Sequence, residues 1–219
     1  MSLSELWSLY GQNYIDALLA TWGMTLESFA IAMVLAVAVT VMRVSPLKPL
    51  RIFGDLYVQV FRNIPGIALL IIVVYALPPL KVVLPYRTCV IVATVLLGSA
   101  FGSENFMSGI NTVGVGQVEA ARSLGMSFSR ILAKIVIPQA LRSSVLPMTN
   151  LFIAVMLTTA LGSQVPLQPQ ELTGVVSYIN TRSLGGVAAF FISALGYLGT
   201  AFVVSHIGNY IDKKARILR

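Results

Sequence analysis

The chain has 219 residues, of which 57% are hydrophobic and only 11% charged, with a mean hydropathy of +0.85. A soluble domain carries about 25% charged residues, so this deficit marks a polytopic membrane protein and excludes an ordinary soluble enzyme. The net charge of +7 does not point to nucleic acid, because the basic residues sit in short clusters between apolar runs. Cys89 is the only cysteine, which excludes an intrachain disulfide. Its apolar surroundings read as those of a small buried hydrophobe.

The first twenty residues, MSLSELWSLYGQNYIDALLA, lack the basic region and cleavage site of a signal peptide. Leu3, Leu6, Trp7, Tyr10, Tyr14 and Leu18 recur there at near-helical spacing. Residues 1–20 are therefore either an amphipathic segment on the outer membrane surface or an extension of the first span. A helix crossing the hydrocarbon core needs about 20 largely apolar residues. Residues 23–42, 57–77, 88–107, 145–162 and 184–208 qualify, with Glu27 and Glu104 as the acids inside them. The runs lack barrel-type alternation, and unpaired strands would leave backbone groups unsatisfied in lipid. The expectation is an all-α protein of five transmembrane helices. Twelve of the 15 basic residues fall on one side of this layout. Lys and Arg favour the cytoplasmic side, so the N-terminus is expected outside and the C-terminus inside.

Between the third and fourth spans lies VEAARSLGMSFSRILAKIVIP, which carries Glu119, Arg122, Arg130 and Lys134. Residues 117–124 predict a short helix, with Glu119 in its N-terminal turn, where the helix dipole favours an acid. Gly125 fits the position that ends it. Ser127 or Ser129 is placed to cap a second helix through Ile137, and Pro138 to break or redirect the chain. Ala120, Ala121 and Leu124 form one small apolar face, and Ile131, Leu132, Ile135 and Val136 a wider one. Residues 117–138 thus form either a cytoplasmic docking loop or a plain surface link, and composition alone favours the link.

The order of these residues narrows the reading. Glu119-Ala120-Ala121, Gly125, Ile135 and Ile137-Pro138 follow the spacing of the EAA loop of ABC importer permeases, with Ile137 in place of Leu. YVQVFRNIPG, GQVEAARSLGMS, IPQALR and QELTG resemble the polar amino-acid uptake subfamily over roughly residues 22–216. The resemblance implies a single permease domain over residues 1–219, with a type I importer fold in the bacterial cytoplasmic membrane. It implies that residues 117–138 enter a cleft on an ATPase dimer, which carries the ATP and Mg, and pass its closure to the spans. Glu119, Ala120, Ala121, Arg122, Gly125, Arg130 and Pro138 are the coupling residues on this reading. Gly125 permits the bend, while Arg122 and Arg130 meet acidic groups of the ATPase or stay solvated. A second permease subunit and an extracytoplasmic substrate-binding protein complete the expected assembly.

Intramembrane polar residues are functional candidates by default. Glu104, Asn150, Thr158 and Thr159 are the candidates for a substrate path. Asn150 and Thr158 share a helical face to within roughly 80° at 3.6 residues per turn. Leu151, Leu157 and Met107 stand where the resembling family often carries charge, which favours a charged site on a non-identical partner and hence a heterodimer. Gly98, Ser99, Ala100, Gly102 and Ser103 read as a packing patch. Arg62 reads as a snorkelling or gating residue, and His206 as interfacial. Residues 165–183 predict a short outer helix from about Pro169, either a binding-protein contact or a plain connection.

No metal-ligand cluster accompanies His206, and the chain has no phosphate loop, GxSxG or HExxH motif, so it is not expected to be an enzyme. The resemblance implies a polar amino acid as the solute, with glutamate, glutamine or another polar amino acid open. The alternatives are an importer for methionine or an oxyanion, and a non-transporting scaffold.

Overall fold

The computed structural model describes residues 2–182 and 186–215. Helix α1 (Leu3–Val44) is one unbroken helix of 42 residues. Ser2 and Glu5 close a reciprocal capping box at its start, with Glu5 N–H donating to Ser2 Oγ at 3.3 Å and Ser2 N–H to Glu5 Oε2 at 2.9 Å. At 1.5 Å per residue the helix is about 63 Å long, roughly twice the hydrocarbon thickness. The separate outer segment considered for residues 1–20 is therefore the first part of this helix, running on from the span. Leu6, Tyr14 and Ala17 pack there with Leu172, Val175, Ile179 and Ala189, and Tyr14 Oη donates to the Ala189 carbonyl at 3.0 Å.

The expected span at 57–77 is not straight. Helix α2 (Lys48–Asn63) and α3 (Gly66–Ile71), which continues to Leu80, meet at a bend of 103°. Pro65 explains the break. It lacks an N–H, and it holds Ile64 extended at φ −83° and ψ 131°. Beyond α3 come a π turn (Ile72–Ala76) and a 3₁₀ turn (Pro78–Leu80). Helix α4 (Tyr86–Asn111) follows. Helices α5 (Val115–Ser123), α6 (Phe128–Ile131) and α7 (Ile137–Ser143) form the connection to α8 (Val145–Thr158). Helix α8 is prolonged by a 3₁₀ segment, Thr159–Gln164. Helix α9 (Leu172–Arg182) starts three residues later than expected, after a cis Gln168–Pro169 bond. Helix α10 (Gly186–Ala215) closes the described chain; Leu184 and Gly185 of the predicted fifth span, with Arg216 and Arg219, lie outside the described residues.

Four described helices are long and apolar enough to cross a membrane, or five spans if the bent pair counts as one. Helix α1 packs along α4 and also touches α2, α8, α9 and α10. The small-residue patch makes its contact with α4 possible. A Cβ on Gly98 would lie 3.2 Å from Ala32 Cβ, and one on Gly102 only 2.8 Å from Ala36 Cβ. Helices in lipid gain little from hydrophobicity, so such close backbone approach supplies the packing energy. Cys89 is buried with Met24, Leu69, Leu70 and Val90 in the cluster under α3, as a small hydrophobe. Phe190, Leu198, Phe202 and Ile207 of α10 are exposed. A soluble chain would have to cover such a surface; here it forms a face suited to lipid.

Candidate coupling loop and translocation cleft

The loop is built around Gly125. Helix α5 ends in a Schellman arrangement: Gly125 N–H donates to the Arg122 carbonyl at 2.9 Å and Met126 N–H to the Ala121 carbonyl at 3.1 Å. This geometry puts Gly125 at φ +73°, the left-handed region that glycine tolerates without strain. Ser127 takes the N-cap position of α6, with no side-chain capping bond. Ala121, Val113, Ile131 and Val136 are buried together, with Met126, Leu132 and Ile135 packed around them. The two helices therefore form a small unit with its own apolar centre. Glu119, Ala120, Arg122, Leu124, Gly125, Phe128 and Arg130 remain exposed on it.

Three expectations for this loop need correction. Ala121 does not share an outer face with Ala120 and Leu124; it points into the loop's centre. Glu119 is not in the first helical turn, because α5 begins at Val115, two residues earlier than expected. Pro138 does not break the chain. A π turn (Leu132–Val136) joins α6 to α7, with Ile137 N–H reaching back five residues to the Leu132 carbonyl. The widened turn lets the helix run past a residue that has no N–H to donate.

Towards the same end of the bundle, four charged side chains link α1, α2 and α4. Arg43 Nε bonds Asp55 Oδ1 at 2.8 Å, Arg43 Nη2 bonds Glu104 Oε1 at 2.7 Å, and Arg43 Nη1 donates to Ser103 Oγ at 3.2 Å. Arg62 Nη1 stands 3.5 Å from Glu104 Oε2. The Arg43 side chain is only 11% exposed. A cation so far from water needs paired acceptors, and it has them on two other helices. Glu104 is thus held in an ion-pair network. It does not line the cleft, contrary to its expected place on a substrate path.

That cleft has a volume of about 1010 Å³ and lies among α2, α3, α4 and α8. Its polar lining consists of Arg62, Thr94, Asn105, Asn150, Thr158 and Gln164. The structure therefore brings Asn150 and Thr158 together on one face. Thr159 is not there: it is fully buried and its hydroxyl donates to the Met156 carbonyl at 2.6 Å. One residue further round the helix turns it away from Thr158. Leu151 and Leu157 line the cleft as apolar groups.

Sequence reasoning missed Glu171. It is fully buried ahead of α9 and accepts from Thr173 N–H at 2.6 Å, Gly174 N–H at 2.6 Å and Tyr197 Oη at 2.9 Å. Leu172 N–H finds Thr21 Oγ1 at 3.1 Å. The first donors of α9 are thus satisfied by side chains, as a helix start requires. Burial pushes the Glu171 carboxyl above the ordinary carboxylate range, opposed by these hydrogen bonds. An acid immediately before a short helix is the signal that would have found it. The Glu27–Arg87 pair at 2.8 Å was also missed; it accounts for the acid inside the first span.

The bundle, its lipid-facing surface and its candidate spans define a polytopic helical membrane protein. Residues 28–217 match the model of the family described as binding-protein-dependent transport system inner membrane component. The chain is 33% identical over 208 residues to the glutamate transport system permease protein GluC of Corynebacterium efficiens, covering 90% of this chain and 91% of that one. It is 31% identical over 214 residues to the L-cystine transport system permease protein TcyB of Bacillus subtilis, covering 95% and 90%. A crystal structure of an amino acid ABC transporter with histidines superposes with a TM-score of 0.91 at 24% identity, over 98% of this chain and 99% of that one. The chain belongs to the binding-protein-dependent transport system inner membrane component family, as the permease component of an ABC importer. It is an inner-membrane, multi-pass subunit, and ATP hydrolysis falls to a separate ATPase subunit of such a system.

Proposed function

We propose that this permease moves a polar amino acid inward, through a path to which the cleft beside α4 and α8 contributes. The observation that carries this reading is the cleft itself: about 1010 Å³, open along one face, with Asn150 and Thr158 on its wall. Relatives named for glutamate and cystine transport support an amino acid as the solute. The bent helix pair of α2 and α3 serves as one span, making five, with the N-terminus outside and the C-terminus inside as the distribution of Lys and Arg suggests.

On this reading the unit from Val115 to Ser143 docks on the ATPase dimer, which binds ATP and Mg. Glu119, Ala120, Arg122, Leu124, Gly125, Phe128 and Arg130 form the contact, with Ala121 and Pro138 shaping it from behind. Closure of the ATPase would move α4 and α8 through this rigid connection. A second permease subunit closes the open side of the cleft, a non-identical one being favoured by the apolar Leu151 and Leu157. A substrate-binding protein delivers the solute from outside, and α9 is placed to meet it. The test is uptake of labelled glutamate, glutamine and cystine by cells with and without this chain. Loss of one uptake activity supports the reading; unchanged uptake across the panel removes the amino-acid assignment.

A further inference from the structure

We propose that α2 lies in the inner-leaflet interface of the membrane and binds anionic phospholipid headgroups there through Lys48 and Arg51. The proposal rests on the orientation given above, with the C-terminus inside. The direction of α2 follows from its contacts. Asp55 reaches Arg43, in the last turn of α1, and Arg43 in turn holds Ser103 and Glu104 of α4. Tyr57 Oη lies 2.7 Å from Ser99 Oγ. Further along α2, Arg62 is still beside Phe101 and Glu104. The helix from Asp55 to Arg62 covers about 10.5 Å, so a helix running along α4 would have left Glu104 well behind. Helix α2 instead stays level with residues 99–104 and crosses α1 and α4 near their inner ends. The 103° bend then turns the chain back along α4, where Leu69 and Leu70 pack with Cys89 and Val90.

Three stripes run along this helix. Gly54 and Val58 are buried, and a Cβ on Gly54 would lie 2.8 Å from Arg43 Cγ and 3.3 Å from Met42 Cβ, which fixes the face turned to α1. Lys48, Arg51, Asp55, Gln59 and Arg62 fall within about 80° of one another at roughly 100° per residue. Ile52, Phe53, Leu56 and Val60 form the third stripe, and all four are exposed. An exposed apolar stripe beside a charged one suits a helix lying in an interface, its apolar side among acyl chains and its basic side at the headgroups. Lys48 and Arg51 are exposed and take part in no ion pair among the described residues. Cations in the first turn of a helix are disfavoured by its dipole, so the helix itself does not explain them. Asp55 is already matched by Arg43, which leaves the start of the stripe with uncompensated positive charge. Apolar contact alone would accept any lipid; these two cations select an anionic one.

The experiment uses the assembled permease–ATPase complex with a fluorescent label on Leu56→Cys, in nanodiscs of phosphatidylcholine and phosphatidylglycerol in equal amounts. Native Cys89 is buried and stays unlabelled. One lipid at a time carries brominated chains, which quench the label on contact. Brominated phosphatidylglycerol should quench more strongly, with a preference of about fivefold for each cation near the surface. Replacing both cations, Lys48→Gln with Arg51→Gln, should bring the two lipids to equal quenching. Raising salt from about 50 to about 500 mM should shrink the preference while Lys48 and Arg51 are in place. In separate complexes, spin labels at Phe53→Cys and Val60→Cys should report nearly the same depth. A depth difference near ~10 Å, the rise of the helix between them, would stand α2 along the membrane normal and overturn the proposal. Equal quenching by the two lipids with both cations in place also overturns it. So does a label quenched by neither lipid and cross-linked to the second permease subunit, which assigns the stripe to a protein contact. If the double variant does not assemble, Lys48→Gln alone and the salt series decide: an unchanged preference in both counts against the cations. Failure of the underlying orientation is separate, and shows as labelling of Leu124→Cys from outside intact cells by an impermeant thiol reagent.

Discussion

The loop from Val115 to Ser143 and the cleft beside α4 are built on opposite plans. The loop is contiguous in sequence, encloses its own apolar centre around Ala121, Ile131 and Val136, and turns charge outward. The cleft is assembled from α2, α3, α4 and α8, and its charge is confined to Arg62 at one end. A contiguous unit can be moved as one piece, whereas a surface drawn from several helices changes shape whenever those helices shift. The contrast suits a lever joined to a path whose walls rearrange.

The contrast can be broken at either region. The largest effect is expected at the bend: Gly125→Val places a β-branched residue at φ +73°, a conformation costing an L-residue about 1–2 kcal/mol. ATP-driven uptake should be lost while membrane abundance is kept; normal uptake would show that the bend is not part of the lever. Gly102→Leu comes next. Its Cβ already falls 2.8 Å from Ala36 Cβ, and overpacking of this kind typically costs about 1–3 kcal/mol. Lower thermal stability in detergent should follow, with α1 and α4 forced apart. Glu171→Ala should cost about 1–3 kcal/mol by stranding buried donors, read as a lower melting temperature with the loop unaffected. The smallest effect belongs to Glu27→Gln. Its pair with Arg87 is half exposed, and exposed pairs contribute about 0–1 kcal/mol, so stability should stay within error of wild type.

The loop was legible in the sequence because its determinants are local: Gly125 follows Ala121 by four residues, and one turn of backbone sets the whole bend. What sequence spacing concealed there was the π turn before Pro138, which depends on a single shifted hydrogen bond. The spans at α4 and α8 were legible from length and hydropathy. The 103° bend at Pro65-Gly66 was not, because an apolar run looks the same whether straight or folded. Asn150 and Thr158 emerged from helical periodicity, but Thr159 did not hold as a lining residue, since neighbouring residues on a helix point about 100° apart. Glu104 looked like a lone acid because its partner Arg43 is 61 positions away. Glu171 was overlooked although its cap on the Thr173 and Gly174 N–H groups is local; what the sequence hid was its burial against Tyr197 on another helix.

The central claim is that the exposed side of the loop rests on the ATPase. The direct measurement is cross-linking from Leu124→Cys, at a position 82% exposed, in a chain whose native Cys89 is buried and serves as an internal control. The account predicts a covalent product with the ATPase subunit whose yield changes on addition of ATP. A product formed only with lipid or with the second permease, or no product in an assembled and active transporter, would contradict it.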